Sequence, residues 1–295
     1  MRIGVCTTDF DHAMPADELF ALVKELGFSS VQLAFSSVSE CGFDVSDHIE
    51  IPGSVSDEAI AAIRAASEKH GIHICAVNGT FNMAHPDPVV RREGLDRFEG
   101  FIKAVRAIGC NMATLCSGSR SLKGLWTYDP ATEDESAYSD MRAVMQEAVA
   151  IAEKYDVILA IETEASNVIS TPEKARRIMD EIGSPNLKMI LDCANLFHKG
   201  EAHPENVRPA IDKAINYFGR DIVIAHGKDI RESDAIDFCG TGFGIVDFPY
   251  MLKKLKEVSF PGDMMLHGIY NVCDMPGCLA FMRKCFEESG ITETI

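Results

Sequence analysis

The chain has 295 residues and a formal charge of −17 at pH 7, because 45 acidic side chains outnumber 28 basic ones. Apolar residues at 46% and charged residues at 25% exclude a disordered, collagen-like or fibrous chain. The acidic balance argues against nucleic acid or an anionic membrane surface as a partner. The length fits one α/β barrel or two smaller domains.

The ten cysteines are scattered along the chain, and none of their spacings is Cys-x-x-Cys. We interpret them as reduced thiols rather than as a disulfide framework. The N-terminal sequence MRIGVCTTDF lacks the apolar run of a signal peptide, and no stretch approaches the roughly 18 apolar residues of a membrane span. These features predict a cytoplasmic protein.

Short β-type runs alternate with longer amphipathic segments along the whole chain. In the first half, the predicted strand and helix pairs are Ile3–Cys6 with Ala16–Leu26, Ser30–Phe35 with 56–71, His73–Val77 with Pro88–Ile108, and Met112–Cys116 with Ser136–Lys154. In the second half, they are Val157–Ile161 with a helix opened by 170–173, Leu187–Leu191 with Pro204–Tyr217, Asp221–Ala225 with Phe248–Val258, and Met264–Leu266 with Met275–Gly290. Apolar spacing of three and four residues and glycine stop signals define the helices.

Eight strands alternating with eight helices predict a single (β/α)8 TIM barrel over residues 1–295. The strand runs are continuously apolar, as in strands covered on both faces. A doubly wound sheet usually has fewer units and often a glycine-rich first turn, whereas the first turn here, CTTDFDHAMP, has no glycine. No linker or low-complexity tract divides the chain.

Polar residues directly follow the last four predicted strands. Glu162, Asp192, His226 and His267 come after the apolar runs ending in AI, IL, IA and ML. Because loops at the C-terminal ends of barrel strands meet at one mouth, we expect these side chains to converge. For each residue alone, a polar side chain at this position is equally explained by the exposure to solvent that begins where a strand ends. Together, their oxygen and nitrogen donors suit a divalent transition metal.

The strand-end sequences IE, LD, HGKD and LHG occur with TFNMAHPDP after the third strand and GTGFGIVDF before the seventh helix. This set, spread over essentially the whole chain, resembles the sugar phosphate isomerase/epimerase family of xylose-isomerase-like barrels. In that family, which includes ketose 3-epimerases and is related to endonuclease IV, a Glu, an Asp, a His and a second Glu hold a metal. Glu162, Asp192 and His226 match the first three positions, and His267 stands at the fourth.

The resemblance implies a metal-dependent isomerase or epimerase of a sugar, polyol or related hydroxy-carbonyl compound, working by proton transfer beside a metal-polarised carbonyl. Glu162 is then both a ligand and the base. We interpret His267 as a fourth ligand rather than the second acid/base, because a coordinated imidazole has its lone pair occupied. Two carboxylates with added imidazole favour one ion of Mn, Co, Zn or Fe over Mg.

Strand parity adds two candidates. Glu164 lies two residues beyond Glu162 and Lys228 two beyond His226, so both can point toward the same site. Glu164 is predicted as a spare base or a carboxylate that orients a histidine, and Lys228 as a group that binds substrate oxygens or stabilises an enolate. A solvated loop charge is the alternative for both. Asn195 is predicted to line the site, and its position, often histidine in metal-rich relatives, favours a single metal.

Five further residues are candidates for substrate binding. The loop after the fourth strand carries the only tryptophan, Trp126, with Arg120 and Lys123 nearby. Aromatic faces pack on the C–H face of sugars, and the two cations suit a phosphate or carboxylate. Surface anchoring is an equal alternative for the tryptophan. Asn82 and His85, after the third strand, either line the pocket or cap the next helix.

Other functions remain compatible with the sequence. A lyase or dehydratase can use the same barrel and metal site, because removal of the proton beside the carbonyl can be followed by loss of a β-hydroxyl instead of return of a proton. The missing second glutamate keeps open a non-enzymatic alternative, a degenerate barrel that binds a sugar or a partner subunit. A nuclease is disfavoured by the net charge and by the few metal-type histidines. A carbohydrate substrate and a possible homo-oligomer complete the expectations.

Overall fold

The computed structural model describes all 295 residues and contains eight parallel strands closed into a barrel. The barrel strands are β1 (Ile3–Cys6), β2 (Ser30–Leu33), β3 (His73–Asn78), β4 (Met112–Leu115), β5 (Ile158–Glu162), β6 (Leu187–Asp192), β7 (Ile222–His226) and β10 (Asp263–Leu266). Each strand pairs with its neighbours in chain order, and β10 closes the barrel against β1. The predicted (β/α)8 barrel is confirmed.

Eight helices surround the barrel. They are α1 (Ala16–Glu25), α2 (Asp57–His70), α3 (Pro88–Ala107), α4 (Glu135–Lys154), α5 (Pro172–Ile182), α6 (Pro204–Phe218), α7 (Phe248–Glu257) and α8 (Met275–Glu288). The side chains of Ser56 and Thr171 cap α2 and α5 by accepting backbone N–H groups. Gly71 ends α2 at a φ of 66°, where a residue without Cβ is favoured. None of the helices combines the length and apolarity needed to cross a bilayer.

The predicted boundaries agree with the structure to within about two residues, and the differences are informative. The strands β5, β6 and β7 each extend one residue further than predicted, so Glu162, Asp192 and His226 are the last residues of strands rather than the first of loops. A two-stranded antiparallel ribbon, β8 (Asp229–Ile230) and β9 (Phe238–Cys239), follows β7. The apolar pattern did not predict this ribbon, because each strand has only two residues.

The core has two parts. A large cluster of 78 buried residues fills the space between the barrel and the helices. A second cluster of seven buried residues includes Ala160, Ile190 and Ile224. Each of these three lies two positions before a polar strand end, and residues two apart face the same side of a strand. The inner cluster therefore forms the apolar floor on which the polar residues of the mouth sit.

Loops after β2, β3 and β4 are hydrogen-bonded to one another over one side of the mouth. The backbone N–H of Glu50 donates to the carbonyl of Thr80 at 3.0 Å, and that of Leu125 donates to the carbonyl of Asp47 at 2.9 Å. These bonds join long irregular segments into a wall. The positions of side chains on this wall are therefore set by contacts between loops.

Candidate metal centre and substrate pocket

Three of the predicted donors lie together at the mouth. Glu162, Asp192 and His226 each offer one ligand atom, and the three atoms lie within 4.8 Å of one another. The imidazole Nδ1 of His226 is 3.3 Å from Oε1 of Glu162 and 3.4 Å from Oδ2 of Asp192. Asp192 and His226 also face each other in the register of β6 and β7. All three residues are buried.

Two atoms of this group lack hydrogen-bond partners. The Oδ2 of Asp192 and the Nδ1 of His226 are buried and make no hydrogen bond. The other ring nitrogen, Nε2, is 3.0 Å from Oε1 of Gln32 and donates to that oxygen, so in the neutral ring Nδ1 carries the lone pair. Unpaired buried polar atoms cost free energy. A divalent cation held by these donors removes that cost, so the residues fit a metal.

The electrostatics of the group also favour a cation. Burial lowers the pKa of His226, but the neighbouring carboxylates of Glu162 and Asp192 outweigh burial and raise the pKa to about 9. Burial opposes ionisation of Asp192, but the cation of Lys228 prevails and holds the pKa of that carboxyl below its ordinary value. Two carboxylates beside one buried imidazole form a site that attracts positive charge.

Gln32 and Asn78 orient His226 from inside the barrel. The amide Nε2 of Gln32 donates to Oδ1 of Asn78 at 2.8 Å, which turns Oε1 of Gln32 toward the imidazole. The hydroxyl of Thr114 also donates to Oδ1 of Asn78, at 3.4 Å. A hydrogen bond to the second ring nitrogen is the usual support of a metal-binding histidine. The sequence patterns did not predict a role for these residues, although a glutamine within the apolar run SVQLAF was an available signal.

Lys228 and Asn195 extend the group along one wall. The Nζ of Lys228 donates to Oδ1 of Asn195 at 2.6 Å and lies 3.4 Å from Oδ2 of Asp192. Asn195 in turn donates from Nδ2 to Oε1 of Glu162 at 2.6 Å. Burial lowers the pKa of Lys228, but the carboxylates of Asp192 and Glu162 outweigh burial, so the pKa lies above its ordinary value. Lys228 is thus a buried cation rather than a solvated loop charge.

Glu164 closes a turn after β5. Its Oε2 accepts hydrogen bonds from the backbone and hydroxyl of Ser166 and from the amide of Asn167. Burial raises the pKa of this carboxyl, although the bonds from Ser166 and the charge of Lys228 oppose the shift. Glu164 lines the pocket. It accepts hydrogen bonds from Ser166 and Asn167 and from no histidine.

His267 lines the same pocket but lies outside the group of three close donors. Its ring is edge-on to that of His226, with 5.5 Å between centroids. Its Nδ1 is 3.0 Å from Oδ1 of Asp9, and Oδ2 of Asp9 accepts the backbone N–H of Ile269 at 2.9 Å. The other ring nitrogen makes no hydrogen bond within the protein. Asp9, in the first loop, was not predicted.

The predicted Trp126 lines the pocket with a partner that the sequence did not indicate. The indole N–H of Trp126 donates to Oε1 of Glu50 at 2.8 Å. Both side chains line the cavity, and Trp126 is 49% exposed. Burial raises the pKa of Glu50, while the bond from the indole opposes this. Glu50 lies on the irregular loop after β2, where no periodic pattern marks it.

Four residues that were predicted to contact substrate do not line this cavity. The guanidinium of Arg120 is paired with Asp140 at 2.8 Å and donates to backbone carbonyls of the loop after β3. Lys123 is exposed and does not line the cavity. Asn82 joins two loops by bonding to the backbone of Ser119. His85 accepts the N–H of Asp87 at 3.1 Å, beside the start of α3.

The HGKD and GTGFG motifs form one structural unit. The buried carboxylate of Asp229 accepts four backbone N–H groups, from Ile230, Gly242, Gly244 and Val246. A Cβ on Gly244 would lie 2.2 Å from the carbonyl oxygen of Ile230, so only glycine fits. The ribbon held by this unit brings the ring of Phe238 to 4.0 Å from the Nζ of Lys228.

The cavity above these residues has a volume of about 470 Å³, which is in the range of small-molecule sites. Its lining contains Asp9, Glu50, Glu162, Lys228 and His267. Most of the polar groups come from strand ends and from the loops that follow them. The arrangement can hold a cation, polarise a bound oxygen and move protons at several positions.

Comparisons with known proteins give the family. No curated protein sequence matches the chain. The structure is similar to a D-tagatose 3-epimerase-like protein, with a TM-score of 0.74, 18% identity and coverage of 98% of each chain. It is also similar to the IOLI protein with a bound zinc atom, with a TM-score of 0.71, 17% identity and 98% coverage of each chain.

A third similar structure is a xylose isomerase-like TIM barrel protein from Mycobacterium smegmatis in complex with magnesium. Its TM-score is 0.70 at 14% identity, and the match covers 98% of this chain and 97% of that one. At such identities the likeness shows the fold alone. The family model described as xylose isomerase-like TIM barrel matches residues 20–273. The predicted resemblance is therefore confirmed, and the chain belongs to the family of xylose isomerase-like TIM barrels.

Proposed function

We propose that the protein is a metal-dependent isomerase or epimerase of a sugar, polyol or related hydroxy-carbonyl compound. The observation that carries this proposal is the group of three buried donors, two of them with unpartnered atoms, beneath a cavity of sugar size. The likeness to a D-tagatose 3-epimerase-like protein supports the same class of reaction. The free cysteines support a reducing, cytoplasmic setting.

Glu162, Asp192 and His226 are proposed to hold one divalent ion, which when bound supplies Lewis-acid polarisation of a substrate carbonyl. The imidazole in the donor set favours Mn, Co, Zn or Fe over Mg. Similar structures with zinc and with magnesium support a metal but not a single identity.

Glu162 is proposed to remove the proton beside the carbonyl. Its Oε1 accepts from Asn195, whereas its Oε2 makes no hydrogen bond within the protein and is free to accept a proton. Lys228 lies beside this group as a buried cation and is proposed to stabilise the negative charge that develops on the substrate oxygen. Glu164, which accepts hydrogen bonds from Ser166, is proposed as a spare base.

His267 stays our proposed fourth ligand, with proton transfer as the alternative. The carboxylate of Asp9 on its Nδ1 leaves Nε2 for another partner. Histidines that bind metals usually carry such a carboxylate on the second nitrogen. The same pairing also orients histidines that act as general bases, which is the basis of the alternative. Metal titration of a His267 variant decides between them.

Solvent deuterium exchange tests the function directly. Protein loaded with Mn²⁺ is incubated in D₂O with a panel of ketoses, aldoses and inosose-type cyclic ketones, and deuterium at the carbon beside the carbonyl is measured by NMR. We expect deuterium to be incorporated into at least one of these compounds. A product lighter by one water identifies the lyase instead, a reading that the replacement of the second glutamate by His267 favours. Absence of both exchange and elimination across the panel would refute the proposed chemistry.

A further inference from the structure

We infer that the pocket selects uncharged polyhydroxylated compounds over phosphorylated or carboxylated ones, and that Glu50 with Trp126 is the pair that makes this selection. The inference deepens the proposed function and rests on it.

The charges on the cavity wall are mostly negative. Four carboxylates line it, those of Asp9, Glu50, Glu162 and Glu164, and Lys228 is the single lysine or arginine among the lining residues. A metal ion that is bound by Glu162 offsets charge at the floor only. Asp9 and Glu50 do not belong to the group of three close donors, so their carboxylates would still face a substrate anion.

The one cation of the wall is already engaged. The Nζ of Lys228 donates to Asn195 at 2.6 Å, lies 3.4 Å from the carboxylate of Asp192, and is covered by the ring of Phe238 at 4.0 Å. A phosphate group carries about two negative charges at pH 7 and is bound in proteins by free guanidinium, ammonium or backbone N–H groups. Lys228 is the only ammonium or guanidinium on the wall, and the carboxylate of Asp192 at 3.4 Å already balances its charge.

The imidazoles do not supply the missing charge. The Nε2 of His226 donates to Gln32, and its Nδ1 faces the carboxylates of Glu162 and Asp192. His267 is paired through Nδ1 with Asp9. Each ring thus already has a carboxylate of the protein beside its Nδ1. The nearby cation Arg120 is turned away and paired with Asp140.

Glu50 and Trp126 together have the chemistry of a sugar-binding wall. The indole N–H holds Oε1 of Glu50 at 2.8 Å, which leaves Oε2 without a hydrogen bond in the protein. A carboxylate oxygen accepts hydroxyl protons, and the half-exposed indole offers an apolar face to C–H groups. The remaining polar lining is uncharged and suited to hydroxyl groups, with Thr8, Thr80, Asn78, Thr114 and Asn195.

The pair is also built into the fold. The backbone of Glu50 is bonded to Thr80 in the loop after β3, and Leu125, next to the tryptophan, is bonded to Asp47. The carboxylate is therefore held at a set position rather than on a free side chain. A fixed like charge repels an anionic ligand more effectively than one that can swing away.

The single tryptophan of the chain makes the selection measurable without turnover. Mn²⁺-loaded protein is titrated with matched pairs, D-fructose and D-fructose 6-phosphate, D-ribulose and its 5-phosphate, and myo-inositol and its 1-phosphate, while the fluorescence of Trp126 is recorded. We expect at least one neutral member to bind about tenfold or more tightly than its phosphate, as expected from a like charge within a few ångströms.

The variants Glu50→Gln and Glu58→Gln separate the role of this carboxylate from a general change in charge. Glu58 is an exposed acid in the first turn of α2 and serves as the matched control. The Glu50 variant is expected to reduce the preference severalfold by admitting the phosphates, while the control keeps the wild-type ratio. Circular dichroism of both variants checks that each is folded.

Three outcomes would overturn the inference. They are tighter or equal binding of every phosphate, no fluorescence response to any neutral compound, and an unchanged preference in folded Glu50→Gln. Selective binding of the neutral compounds without deuterium exchange would instead contradict the proposed reaction and leave the inferred substrate class intact. Deuterium exchange that occurs only with the phosphorylated members of these pairs would contradict the inferred substrate class and leave the proposed reaction intact.

Discussion

Glu162 meets two requirements at once, because one carboxylate oxygen is tied into the polar group and the other is free. Its Oε1 accepts from Asn195 at 2.6 Å and lies 3.3 Å from His226. The free Oε2 is the atom that can accept a proton from substrate. A substitution that keeps the size but removes the basicity therefore isolates the chemistry from the packing.

Glu162→Gln is expected to lower the rate of deuterium exchange by about 100-fold or more, the range lost with a general base. The amide cannot take a proton or carry the charge, but it fills the same volume, so the thermal unfolding curve should change little. Exchange measured by NMR, with metal content measured alongside, provides the test. Near wild-type exchange in this variant would assign the base elsewhere, with Glu164 the next candidate.

His267→Ala is expected to lower metal affinity by about 10- to 100-fold, the loss typical of a disturbed metal site. Chelator competition measures this value, and the exposed His12→Ala is the control. His267→Glu is expected to keep the metal and to gain exchange activity, because it supplies the carboxylate found at this position in the family. Unchanged metal affinity in the alanine variant, combined with lost turnover, would assign the ring to proton transfer.

The ribbon after β7 shows how one buried carboxylate organises an element. Asp229 accepts N–H groups on both of its oxygens, from Ile230 and Val246 on Oδ1 and from Gly242 and Gly244 on Oδ2. Four donors that converge on one side chain require an acceptor at both oxygens. The ribbon in turn covers Lys228, so its stability bears on the pocket.

Asp229→Asn is expected to lower the free energy of unfolding by about 2 kcal/mol, the scale of hydrogen bonds to a charged group. An amide presents an NH₂ group to two of the four N–H donors and leaves them unsatisfied. The control is Asp237→Asn, on the same ribbon, which removes a half-exposed ion pair with Arg231. Urea unfolding measures both variants, and equal stability of the two would contradict this account.

The sequence predicted the barrel and the three close donors because both depend on local order. Apolar runs marked every barrel strand, and parity placed the strand ends on the inner face. Asp9 and Glu50 could not be found this way, since irregular loops carry no periodicity and Asp9 meets His267 across 258 positions of the chain. Proximity in sequence also failed for Arg120, because a neighbouring carboxylate, Asp140, turns the guanidinium away from the tryptophan loop.

At the scale of the whole molecule, the polar residues of the mouth link most of the barrel. Gln32 on β2 bonds to Asn78 on β3 and to His226 on β7, while Asn195, in the turn after β6, bonds to Glu162 on β5. These bonds cross the barrel interior above its apolar floor. A cation held by the strand-end donors joins β5, β6 and β7 directly, so metal binding should stabilise the entire fold.

Addition of Mn²⁺, Co²⁺ or Zn²⁺ is therefore expected to raise the Tm, and EDTA is expected to reverse the rise. Binding to the folded state alone contributes about 2.7 kcal/mol when the free metal is 100 times its Kd, and each kcal/mol shifts the Tm of a large domain by about 2–4 °C. Asp192→Asn should abolish the shift, because it removes one of the two unpartnered donor atoms, whereas Glu58→Gln should keep it. A Tm that does not respond to any of these ions in the wild-type protein would overturn the metal centre and favour a barrel that only binds its ligand.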